Sequence, residues 1–147
     1  MKYVIVEVIP TSSTKSTGDI AQLSAVKIDD LKLIDRFDYR LDESKIKIPD
    51  LINLISYDKE SFKYLDSTDS ILNEFKKWVQ DYKVLIIDNK YTLSYLDDIN
   101  NKESIFKHLN LKYSDDVIDI IIKKYNLEPS NYIVDLLYEA LIYESNN

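Results

Sequence analysis

Two short apolar runs constrain this chain more than any other feature: residues 4–9, Val4-Ile5-Val6-Glu7-Val8-Ile9, and residues 84–87, Val84-Leu85-Ile86-Ile87. In the first, strand alternation puts Tyr3, Ile5, Glu7 and Ile9 on one face and Val4, Val6 and Val8 on the other. Both faces are largely apolar, as a central strand covered on both sides requires. The second run ends at Asp88 and reads as a buried strand parallel to the first. Parallel neighbours need a crossover, and residues 69–80 supply a helix, with Ile71, Leu72, Phe75, Trp78 and Val79 at helical spacing and Ser67, Thr68 or Asp69 to cap it. Ahead of that helix, residues 20–28 and 31–41 read as two more strands joined by a tight turn at Asp29-Asp30. With the first strand they form an antiparallel meander, after a polar loop over 10–19.

The remaining elements are shorter. Residues 49–55 fit a helix with Pro49 in its first turn, and residues 91–96 fit another. Residues 104–109 are compatible with a fifth strand or a helical turn. Residues 116–125 are helical, capped by Ser114 or Asp115, and Pro129 and Ser130 open a last helix through Tyr143. Its inward residues are expected to be Ile133, Leu136, Leu137, Ala140 and Leu141. The whole is an α/β domain over residues 1–144 with a mixed sheet flanked by helices, followed by a loose tail over 145–147.

Composition removes several function classes. With no Cys there are no disulfides or thiolate sites, and His108 alone cannot build a multi-histidine metal site. Gly18 is the sole glycine, so no glycine-rich phosphate loop exists. Twenty-six acids against 19 Lys and Arg give a net charge of −7, which disfavours a nucleic-acid backbone as partner without forbidding it. No apolar stretch suits a membrane span or a signal peptide, so no membrane partner is expected and the location reads as cytoplasmic.

A family resemblance rests on four segments. Tyr3-Val4-Ile5-Val6-Glu7-Val8-Ile9-Pro10-Thr11 resembles a first strand of the form hydrophobic run, Asp-x-Glu-Thr-Thr. Asp19-Ile20-Ala21-Gln22-Leu23-Ser24-Ala25-Val26-Lys27-Ile28 is similar to the second strand that follows it. Residues 48–62, with Ile48-Pro49 and Asp58-Lys59-Glu60, resemble the family's Ile-Pro and Thr-Asp-Glu segment. Residues 84–96, containing Asp88-Asn89 and Leu93-Ser94-Tyr95-Leu96, are similar to its His-Asn-Ala-x-Phe-Asp segment. In that order they resemble the DnaQ-like, or DEDD, 3′–5′ exonucleases, whose fold is the ribonuclease H-like mixed sheet; residues 100–113 have no match.

The resemblance implies a site in which four carboxylates hold two divalent metals and a His or Tyr serves as base. Strand positions i and i+2 lie on one face about 7 Å apart, suited to gripping two ions about 4 Å apart. Carried over, the family's first Asp falls on Glu7 and the following Glu on Ile9, which cannot bind metal. Its Asn falls on Asn89, and the next Asp on Thr92, a neutral hydroxyl. In the last helix one register puts Asn131 on the His and Leu136 on the Asp; shifting by one residue puts Ser130 and Asp135 there instead.

The expectation is a catalytically degenerate exonuclease-like domain with a noncatalytic protein-interaction or assembly role and no cofactor. One alternative is a residual 3′–5′ exonuclease on single-stranded DNA or RNA ends, with Mg or Mn on Glu7, Asp88 and Asp135. Another is a noncatalytic single-strand binder. Plainer roles are also expected: Glu7 as a carboxylate solvated at the sheet's end, Asp88 as a turn residue, Asp135 as a solvent-facing helix residue, His108 as a structural histidine and most of the 12 Tyr as packing residues.

Overall fold

The structure, a computed structural model, describes residues 1–11, 18–42, 62–130 and 133–146. The expected helix over 49–55, the family-like segment 48–61 and Asn131 lie outside the described residues. In chain order the elements are β1 (Lys2–Pro10), β2 (Ile20–Asp29), β3 (Lys32–Leu41), β4 (Lys63–Leu65), α1 (Thr68–Val79), β5 (Lys83–Ile86), α2 (Lys90–Tyr95), β6 (Lys102–Ser104), α3 (Ile105–Leu109), α4 (Val117–Tyr125) and α5 (Ile133–Ser145).

The strands form one six-stranded sheet in the order β4-β3-β2-β1-β5-β6. β1, β2 and β3 make the expected antiparallel meander, and β5 runs parallel to β1 with Val4 opposite Val84 and Val6 opposite Ile86. The first turn centres on Asp30 and Leu31, one residue later than expected, with both at positive φ (49° and 68°). Paired left-handed residues match the twist of a hairpin. β4 was not anticipated; it adds parallel to the end of β3, Tyr39 opposite Lys63.

α1 covers one face of the sheet, where Val4, Val6, Val8, Leu23, Ala25 and Phe37 pack under Ile71, Leu72 and Phe75. Ser67 caps it, its Oγ accepting from the Ser70 amide at 3.1 Å. Thr68 Oγ1 ties the helix start to β2 by accepting from the Ile20 amide at 2.9 Å. On the other face Tyr3, Ile5, Val26, Ile28 and Leu85 pack under α3, α4 and α5 through Phe106, Ile121, Leu137 and Leu141.

Three local readings change. Residues 104–109 are both things at once: β6 ends at Ser104, whose Oγ accepts from the Phe106 amide at 3.1 Å and starts α3. α4 begins after Asp116 without a side-chain cap, because Ser114 Oγ donates to the Asp116 carboxylate at 2.7 Å instead. In α5 Val134 is fully buried and Ile133 only half-buried, and the helix includes Ser145, which the sequence had placed in the tail. Among the described residues no helix is long and apolar enough to cross a membrane.

Candidate functional site

A cleft of about 310 Å³ opens at the carboxyl ends of β1 and β5, the end where sheets with parallel strands place ligands. β1 contributes Glu7 and Ile9, the turn after β5 contributes Ile87 and Asn89, and α2 contributes Thr92. Tyr113, Ser114, Asp115, Val117 and Ile118 close it from the approach to α4, and Ile133 from the start of α5. Four positions named from the sequence, Glu7, Ile9, Asn89 and Thr92, therefore meet in one place.

Each is held by its element. Asn89 caps α2, its side-chain oxygen accepting from the Thr92 amide at 2.8 Å, so that oxygen is committed to the helix. Thr92 is buried. Glu7 is 6% exposed and forms no hydrogen bond or ion pair with a described residue, and burial alone pushes its carboxyl up to about 7. Where a solvated carboxylate was expected, Glu7 is nearly buried, and it lines the cleft.

The other carboxylates stand apart. Asp88 is exposed between Ile87 and Asn89, whose amide closes a tight turn onto the Ile87 carbonyl at 2.9 Å, and it does not line the cleft. Asp135 is half-buried rather than solvent-facing, and its carboxylate accepts from Arg36 of β3 at 2.6 Å. Leu136, the Asp position in the other register, is a buried apolar residue. Ser130 is exposed. Neither Asp135 nor Leu136 lines the cleft, so neither register brings a carboxylate to Glu7. His108 lies at the opposite end of β1, paired with Glu103 and edge-on to Tyr3 at 5.3 Å. That pairing holds the Glu103 carboxyl below its ordinary range.

Sequence reading missed a polar band running from the cleft across the sheet. Cross-strand register lines up Glu7 with Ser24 and Asp38, and Ile9 with Gln22 and Arg40. Arg40 is buried, its Nε donating to Gln22 Oε1 at 2.9 Å and its guanidinium lying 3.9 Å from the Phe62 ring centre. Arg36 joins Asp38 at 3.0 Å as well as Asp135, and one Asp38 oxygen is buried without a described partner. The alternation of Gln22 and Ser24 with apolar residues in a strand buried on both faces was the available signal. Tyr113, Ser114 and Asp115 had none, since they lie at the end of the unmatched segment and just after it.

Among solved structures, a product-bound exonuclease I superposes with a TM-score of 0.59 at 10% identity, covering 99% of this chain and 43% of that one. The fold is ribonuclease H-like. An ExoI/SSB-Ct complex gives 0.58 at 9% identity over 97% of this chain and 40% of that one. A zinc-bound E. coli ExoI–ssDNA complex also gives 0.58 at 9%, over 97% and 39%. The chain spans about two fifths of the length of these exonucleases. No family model matches the sequence, and no curated protein does.

Proposed function

We propose that this chain is a catalytically degenerate exonuclease-like domain that works by holding a protein partner and not by cutting nucleic acid. The observation that carries this reading is the composition of the cleft. Two-metal hydrolysis needs several oxygen ligands converging on ions about 4 Å apart, and every missing carboxylate removes both a ligand and the charge that retains the ion. Among the described residues lining the cleft, Glu7 is the one buried carboxylate, beside the hydrocarbon of Ile9 and the neutral hydroxyl of Thr92. Among the described residues no three His, Asp or Glu side chains are grouped to hold a metal. The donor set does not fit a pair of divalent ions, so no hydrolytic step is derived through them.

A residual nuclease built on Glu7, Asp88 and Asp135 would need three carboxylates that line one cleft, whereas two are engaged elsewhere or face solvent. A single-strand binder would need cations tracking a backbone; no Lys, Arg or His is among the described residues lining the cleft.

The test is incubation of the full chain with end-labelled single-stranded DNA and RNA in Mg²⁺ or Mn²⁺, with and without chelator. The labelled strands are expected to stay full length. Chelator-sensitive shortening that is lost in Glu7→Ala would overturn the reading, and salt-sensitive retention of intact strand would replace it with the binder.

A further inference from the structure

We infer that the cleft at the end of β1 is a receptor for an arginine side chain presented by a protein partner, with Glu7 as its buried anion. The inference rests on the noncatalytic reading above and gives the partner its chemistry.

Three independent features of the cleft specify that chemistry. First, its lining includes a carboxylate that is 6% exposed and has no partner among the described residues. A buried, unpaired carboxyl is costly in the free protein, and a ligand that supplies donors to it recovers that cost on binding. Second, the lining carries two acids, Glu7 and Asp115, and no described cation, in a chain with net charge −7. The complementary ligand is positive. Third, much of the remaining lining is aliphatic: Ile9, Ile87, Val117, Ile118 and Ile133. A small hydrated ion gains nothing from such a lining, whereas a long side chain lays its methylenes along it and carries its charge to the carboxylate.

Arginine fits these features better than lysine. Its planar guanidinium is weakly hydrated, so it enters a dry site at lower cost, and its paired N–H groups match the two oxygens of a carboxylate. Tyr113, exposed and lining the cleft, offers a ring on which a guanidinium can stack. The volume of about 310 Å³ takes one such side chain and leaves its backbone outside, where a partner protein would carry it. Buried arginines of this kind are frequent anchors of protein interfaces.

The experiment titrates the ¹⁵N-labelled full chain with a capped five-residue peptide, acetyl-Gly-Ser-Arg-Ser-Gly-amide, and with the same peptide carrying citrulline, a neutral isostere, in place of arginine. Amide shifts confined to the neighbourhood of Ile9, Thr92 and Asp115 are expected with the arginine peptide, and binding about tenfold weaker with citrulline. Glu7→Gln, whose folding is checked by its own amide spectrum, should also weaken binding about tenfold. Asp115→Asn, at a less demanding position, should weaken it about threefold, so the charge dependence is read even if Glu7→Gln does not fold. Equal binding of the two peptides, shifts elsewhere on the surface, or no shift at millimolar peptide would overturn the receptor. The same samples are assayed for strand shortening in Mg²⁺. Cleavage overturns the noncatalytic reading, while absent peptide binding without cleavage overturns the receptor alone.

Discussion

The two ends of a single sheet face are built on opposite principles. At the amino end of β1, Tyr3, Ile5, Val26, Ile28 and Leu85 disappear beneath Phe106, Ile121, Leu137 and Leu141, an apolar seal of the kind that stabilises a domain. At its carboxyl end the same face carries Glu7, Gln22, Ser24 and Arg40, buried and polar, with Asp38 half-buried beside them. Polar groups in that position add little net stability and cost much when unpaired. The contrast separates scaffold from site: one end fixes the strands, and the other end spends part of that stability to keep chemistry facing a cleft.

The difference can be broken from the apolar end first. Phe106→Ala, at a 1% exposed position, should lower unfolding free energy by about 3–5 kcal/mol in denaturant titration. A loss under 1 kcal/mol would mean that the seal is not what holds the helices down. At the polar end the sign reverses. Glu7 binds its proton more tightly folded, about 7 against an ordinary 4.5, so the stability it contributes is full below pH 4.5 and fades as pH rises through 7. Glu7→Gln should therefore leave stability near pH 4 unchanged and raise it at pH 8 by on the order of 3 kcal/mol. Unfolding curves at the two pH values that shift equally would remove Glu7 as the cause. The smallest effect lies in between: Arg36→Ala strips Asp38 and Asp135 of a shared cation and should cost about 1–3 kcal/mol. Arg36→Ala in an Asp135→Asn background should cost less than in the parent if the two act as a pair.

These same residues show where sequence reading succeeds. The meander and the parallel β1–β5 pair were legible because period-two alternation and an unbroken apolar run are local signals. β4 was not, since Lys63-Tyr64-Leu65 carries no pattern of its own and pairs only because the end of β3 lies beside it. Four cleft residues were legible through family resemblance at fixed positions in β1, the turn after β5 and the start of α2. The fate of Asp135 was hidden, because its partner Arg36 is 99 residues earlier and on another element. The burial of Glu7 was hidden for a similar reason: the residues that share its cleft, Tyr113, Ser114, Asp115, Val117 and Ile118 among them, lie far along the chain and meet it only in the folded protein.

Among the described residues the sheet is bounded by β4 and β6, strands of three residues each. β4 covers β3 only at Tyr39–Leu41, and the edge of β3 over residues 32–38, which no described strand covers, carries Lys32, Asp35, Arg36 and Asp38, charges that oppose stacking against another strand. Recognition of another molecule is thereby steered away from generic backbone pairing and toward side chains, which discriminate by shape and charge. A crowded cell full of exposed strands thus has little purchase on this protein, and specificity begins with what its borders decline to bind.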